Sequence, residues 1–142
     1  MENYDNEMKL EFISNPNNEA LARISVASFA ASLDPTIEEI SDIKTAVSEA
    51  VTNCIIHGYE NTKGIVTINA KIKANVVEIE IIDKGKGIEN VEKAKEPLFT
   101  TKPEEERSGM GFTIMESFMD EMKVTSRLGE GTIVYLKKKI LN

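Results

Sequence analysis

The spacing of apolar residues changes period several times along the chain, and each change marks an element. Met8 to Ile13 alternates loosely and predicts a short strand. Asn15-Pro16-Asn17-Asn18 reads as a turn and helix start, after which Leu21, Ile24 and Ala27 to Ala31 recur at helical spacing. Asp34-Pro35-Thr36 interrupts that run, and either Asp34 or Thr36 can cap a second helix. The second helix has the clearest pattern: Ile40, Ile43, Val47, Ala50, Val51 and Cys54 share one face, and Gly58 ends it.

Two alternating segments follow. Val66, Ile68, Ala70 and Ile72 share one strand face, Val77, Ile79 and Ile81 share the next, and Ala74-Asn75 stands where a tight antiparallel connection belongs. From Lys84 to Gly111 the period is lost while glycine, lysine and threonine accumulate, and a loop of that length inside a domain is usually functional or disordered. Helical spacing resumes with Phe112, Met115, Phe118 and Met119. Met122 to Leu128 and Thr132 to Ile140 then form a hairpin around Gly129-Glu130-Gly131. With neither an internal repeat nor a linker, the expectation is one domain over 1–142. Helices alternating irregularly with antiparallel strands predict an α+β two-layer sandwich, its helices on one face of a mixed, mostly antiparallel sheet.

Composition narrows the functional classes. The chain has 142 residues, enough for one packed core, and its 41% apolar content fits a globular protein. A formal charge of −7 disfavours direct binding to nucleic acid, whose phosphates repel an acidic surface. No apolar run approaches the ~20 residues that cross a bilayer, and Met1-Glu2-Asn3-Tyr4-Asp5 lacks a leader pattern, so a cytoplasmic protein off the membrane is expected. The lone Cys54 falls on an apolar helical stripe and reads as a small core residue in a reducing compartment. Lys137-Lys138-Lys139 ends a strand-like segment and reads as edge protection.

Three features could carry chemistry. Glu49, Asn53 and His57 recur every fourth residue, so they line one stripe of the second helix, starting opposite its apolar face. A carboxylate, an amide and an imidazole in a row suit a hydrated Mg²⁺ and a proton acceptor, although a solvated polar face is the plainer account. Ile81-Ile82-Asp83-Lys84-Gly85-Lys86-Gly87-Ile88 puts a carboxylate at the end of a buried strand beside a backbone that ligands can approach closely. An aspartate there can accept a hydrogen bond from an exocyclic amine such as that of adenine; an ordinary glycine-rich turn would look the same. Arg107-Ser108-Gly109-Met110-Gly111-Phe112 opens a helix, leaving backbone N–H groups free to face phosphate oxygens. It is neither a Walker loop nor a dinucleotide-binding turn, because no Gly-Lys-Ser/Thr follows and no parallel strand leads into it.

Together, in this order and spacing, the three resemble the Bergerat-fold ATPases, the superfamily of gyrase, Hsp90, histidine kinases and MutL, across nearly the whole chain. Ser48 to Tyr59 is similar to the helix motif of the anti-sigma serine kinases of spore-forming bacteria. Pro97-Leu98-Phe99-Thr100-Thr101-Lys102-Pro103, followed by Arg107 to Glu116, resembles the lid and second glycine box of their sporulation branch. Cys54 departs from the alanine expected at its position.

The resemblance implies specific roles. Asn53 would hold Mg²⁺ between the phosphates of ATP, and Glu49 would be the general base that takes the proton from an attacking serine hydroxyl. Asp83 would read the adenine amine, with Gly85 and Gly87 allowing close approach and Thr132 adding a contact through water. Ser108, Gly109, Met110 and Gly111 would present the phosphate loop. The ATP lid would span about 92–109, with Lys102 and Arg107 supplying cations, Arg107 to the γ-phosphate, while Lys93 and Lys95 stay in solvent. Arg23, on the first helix, would contact protein partners. The implied protein is a homodimer that binds the sigma factor sigma F and phosphorylates the anti-anti-sigma factor SpoIIAA on serine, SpoIIAA being both substrate and competitor. Three alternatives remain: a detached histidine-kinase domain, a stress-response anti-sigma kinase with other partners, and a module that uses ATP only to set its shape.

Overall fold

The computed structural model describes residues 3–96 and 111–141. Five strands form one sheet: β1 (Asn6–Ile13), β2 (Ile65–Lys73), β3 (Val76–Asp83), β4 (Glu121–Arg127) and β5 (Gly131–Lys139), in the spatial order β1-β2-β3-β5-β4. All four pairings are antiparallel, within the mostly antiparallel sheet expected. The helices are α1 (Asn18–Ala30), α2 (Ile37–Asn53), the short α3 (Val91–Ala94) and α4 (Gly111–Phe118), with a π-helical turn at Cys54–Gly58 continuing α2. This is the α+β two-layer architecture that the pattern predicts.

Strand alternation decides which face meets the helices. Val66, Ile68, Ala70 and Ile72 on β2, Val77, Ile79 and Ile81 on β3, and Val134 and Leu136 on β5 are buried, while their neighbours face outward. The inward series on β3 does not stop at Ile81. Asp83 takes the next inward position and pairs directly across from Thr132 of β5. One end of an apolar face is therefore polar, and both residues are buried there.

Helix α2 lies between α1 and α4. Ala22, Ala30, Ala46 and Ala50 are fully buried, so small side chains let the backbones approach while Ile43 and Val47 fill the space against the sheet. Thr36, rather than Asp34, caps α2. Its hydroxyl accepts from the Glu39 amide at 3.1 Å, and the Glu39 carboxylate accepts from the Thr36 amide at 2.9 Å. Asp34 instead adopts a left-handed φ of 53° at the end of a single 3₁₀ turn after α1.

The lysine run differs from expectation. β5 is an interior strand, so Lys137-Lys138-Lys139 guards no edge. The Lys138 ammonium reaches the Asp42 carboxylate of α2 at 3.1 Å and the Phe118 carbonyl at 2.6 Å, tying the sheet to both helices.

Candidate functional site

Helix α2 carries Glu49 and Asn53 one turn apart, and neither is on a solvated face. Glu49 is only 8% exposed. Helical period alone places it opposite the sheet, but α4 packs on that side of α2. The first residue of α4 lies close enough that a Cβ on Gly111 would stand 3.2 Å from the Asn53 amide nitrogen and 3.4 Å from a Glu49 carboxylate oxygen. A carboxylate and an amide are thus enclosed side by side between two helices. After Asn53 the helix widens into the π-helical turn, so His57 does not continue the stripe in α-helical register.

The Asp83 end is built differently, from backbone against backbone. The Asp83 carboxylate accepts the Gly85 amide at 2.9 Å, and it also accepts the Cys54 thiol and the Thr132 amide. Burial raises the Asp83 pKa above its ordinary value, and those three donors pull it back down only in part. Burial, and after it the same carboxylate, drives the Cys54 thiol well above its usual range, so the thiol stays protonated as a donor. Gly58 fits here because a Cβ would come within 2.9 Å of the Asp83 carboxylate.

Gly85 and Gly87 serve contacts within the chain. A Cβ on Gly85 would lie 2.0 Å from the Gly58 carbonyl oxygen, and one on Gly87, which has φ +77°, would lie 2.1 Å from the Arg127 carbonyl oxygen. Their missing side chains let the loop after β3 nest between the π-helical turn and the β4–β5 hairpin. Packing within the chain by itself already demands glycine at both positions.

One cavity of about 340 Å³ joins the two ends, within the usual range for a small-molecule site. Asn53, His57, Asp83, Gly87, Gly111 and Thr132 line it, with Ala50, Cys54, Ile88, Phe112 and Val134 supplying apolar wall. Lys93, exposed to solvent as expected, borders the cavity mouth, whereas Lys95 is half-buried and does not line it. Gly85 is one step behind the lining. Glu49 lies behind Asn53 and faces a second, polar cleft of about 290 Å³ with Arg23, Ser41, Lys44, Thr45 and Ser48. Lys102, Arg107, Ser108, Gly109 and Met110, and the lid beyond residue 96, lie outside the described residues.

The donors fit a nucleotide and a hydrated cation. Asp83 is a buried acceptor at the end of an apolar slot, and Asn53 offers a hard oxygen. Among the described residues no cluster of three or more His, Cys, Asp or Glu side chains could hold a metal. A cation at Asn53 would complete its shell from water and phosphate oxygens, as Mg²⁺ does.

Two site residues escape the sequence reading. Ser126, on the inward side of β4, accepts the Ile88 amide at 2.8 Å and shares a 2.7 Å hydrogen bond with the Thr132 hydroxyl. A serine in register with Met122 and Val124 is the signal that could have found it. Tyr59, just past the π-helical turn, accepts the Lys84 amide at 2.7 Å; no periodicity argument points to it.

Comparison with known proteins agrees with this geometry. Residues 12–138 match the family described as the histidine kinase-like ATPase domain. The anti-sigma F factor of Thermoanaerobacter sp. (strain X514) is 65% identical over 137 residues, covering 96% of each chain. That of Clostridium acetobutylicum is 61% identical over 135 residues, covering 95% of this chain and 94% of its own. A crystal structure of the RsbU and RsbW domains of a Mycobacterium tuberculosis protein superposes with a TM-score of 0.68 at 20% identity. It covers 95% of this chain, which spans 32% of that longer one, and it shows a shared fold.

Proposed function

Because this chain belongs to the histidine kinase-like ATPase family and, within it, to the anti-sigma F factors, we propose that it is an ATP-dependent protein-serine kinase that also sequesters its sigma factor. Its partners in this reading are sigma F and the anti-anti-sigma factor SpoIIAA. SpoIIAA competes for the same protein and is phosphorylated on serine, and the exchange controls sporulation from the cytoplasm. The working form is a homodimer, each chain one domain.

The observation that carries the reading is the enclosure of Glu49 and Asn53 against Gly111, between the cavity and the second cleft. A carboxylate in that position can serve both sides. Toward the cavity, Asn53 would hold the cation, which would neutralise phosphate charge, while Gly111, with Ser108 to Met110, would present backbone donors. Toward the cleft, Arg23 would hold the protein partner, whose serine hydroxyl would then meet Glu49. Bound Mg²⁺-ATP supplies the phosphoryl group and neutralises its charge. Glu49 accepts the hydroxyl proton as the serine oxygen bonds to the γ-phosphorus and the bond to the ADP oxygen breaks. Asp83 and Thr132 orient the base at the far end. Lys102 and Arg107 are assigned to the phosphates, Arg107 to the γ-phosphate.

The test is incubation with γ-labelled ATP, Mg²⁺ and SpoIIAA. The proposal predicts acid-stable label on a SpoIIAA serine. The rival reading, a detached histidine-kinase domain that phosphorylates histidine in another chain, would give acid-labile label instead. Tight ATP binding with no label on any partner would leave a module that uses ATP only to set its shape.

A further inference from the structure

We propose that Tyr59 is the positioning residue of the base-reading loop, its hydroxyl fixing the segment that aims Asp83 into the cavity. The inference rests on the reading of Asp83 as the residue that recognises adenine. The Tyr59 hydroxyl donates to the Ile65 carbonyl at 2.5 Å and accepts the Lys84 amide at 2.7 Å. One side-chain oxygen thereby links the start of β2 to the residue directly after Asp83. The ring is held in turn by Gly64, where a Cβ would come within 2.4 Å of a ring carbon. The ring therefore packs directly on the turn that leads into β2.

The backbone around Tyr59 reinforces the same loop. The Tyr59 amide donates to the Cys54 carbonyl at 2.9 Å, which closes the π-helical turn, and the Gly58 carbonyl accepts the Lys86 amide at 2.9 Å. The amides of Lys84 and Lys86 are thus both satisfied by consecutive residues, Tyr59 and Gly58, while the Gly85 amide between them goes to Asp83. An α-helical continuation of α2 would leave Gly58 and Tyr59 in a different place. The wider turn sets the carbonyl of one and the hydroxyl of the other at the spacing of alternate amides in the loop. Burial of Tyr59 raises its pKa, so the hydroxyl keeps its proton for Ile65 at any pH the protein meets. Tyr59 is half-buried and is not among the residues that line the cavity, so its effect on a ligand passes through Asp83.

The substitution Tyr59→Phe removes the oxygen and keeps the ring against Gly64. It leaves the exposed Lys84 amide to water, and the segment that follows Asp83 loses its tie to the start of β2. The expected result is ATP affinity weakened about tenfold with a narrowed preference for ATP over GTP, while inorganic triphosphate, which has no base, binds within about twofold of the wild type. Unchanged ATP affinity would overturn the proposal, and so would equal weakening toward ATP and triphosphate, which signals general damage. Asp83→Asn, measured alongside, separates the premise from the inference. If that variant binds ATP as the wild type does, the base-reading assignment fails and the role of Tyr59 fails with it. Amide exchange on the unaltered, nucleotide-free protein needs no variant: Lys84 should be strongly protected, and rapid exchange there would contradict the proposal.

Discussion

The two ends of the cavity are made by different means. At the Asp83 end the chain packs on itself. Gly58, Gly85, Gly87 and Gly131 each leave no room for a side chain, and their neighbours at closest approach are mostly backbone atoms. The carboxylate is held by a thiol and two amides in place before any ligand arrives. At the other end the groups are side chains, Glu49 and Asn53, presented by one helix and enclosed by the start of another. A base is planar and uniform, so a rigid slot suits it. A phosphoryl group in transfer moves between two partners, which suits side chains reaching from a helix toward both the cavity and the cleft. The comparison predicts that filling the glycine contacts at the first end damages binding and folding together, whereas removing the Glu49 carboxylate at the second damages chemistry alone.

The largest effect should come from Glu49→Gln. It keeps the shape and removes the proton acceptor, so the rate of serine phosphorylation should fall about 10²- to 10⁴-fold while ATP affinity stays within about twofold, measured by label transfer and by calorimetric titration. Transfer at the wild-type rate would show that another group takes the proton. Gly85→Ala tests the opposite end: its methyl must displace the Gly58 carbonyl, so it should lose about 3 kcal/mol of stability in urea unfolding, and ATP binding with it. A stable Gly85→Ala protein would mean the loop is not held as tightly as described.

Asp83→Asn sharpens the contrast. ATP affinity should drop by about tenfold or more, yet nucleotide-free stability should hold or rise, because a buried carboxylate is costly to ionise. The sign with pH follows from the raised pKa. The unfolded chain gives up this proton at lower pH than the folded one, so the folded state binds more protons between the two values. Stability conferred by the protonated group is full below the unfolded pKa and is lost as pH rises through the folded pKa. Urea midpoints from pH 3.5 upward should show that decline in the wild type and a flatter profile in Asp83→Asn. The smallest effect belongs to Thr36→Ala, distant from both ends, which should cost about 1 kcal/mol through the lost cap and leave ATP binding unchanged.

Much of this architecture is legible in the sequence because it depends on local period. The alternation through Val66–Ile72 and Val77–Ile81 gives the inward face directly, and its continuation to Asp83 marks a carboxylate in a core position. Period alone misplaces Glu49, because the covering helix α4 comes from a distant part of the chain, and a single-helix pattern cannot register it. It also misreads Gly85, whose demand for space is set by the Gly58 carbonyl, a contact between segments far apart in sequence. The π-helical turn carries no compositional sign. Cys54 to Tyr59 looks like a helix running to its glycine stop, and only the bond from the Tyr59 amide to Cys54 reveals the extra residue in the turn. Helix α3 escapes for a simpler reason: four residues are too few to establish a period.

A crystal structure of the protein with Mg²⁺ and a non-hydrolysable ATP analogue tests the central claim most directly. The account predicts the exocyclic amine of adenine about 3 Å from the Asp83 carboxylate and the metal on the Asn53 amide oxygen, with the terminal phosphate beside Glu49. A base bound away from Asp83, or phosphates directed away from Asn53 and Glu49, would contradict it.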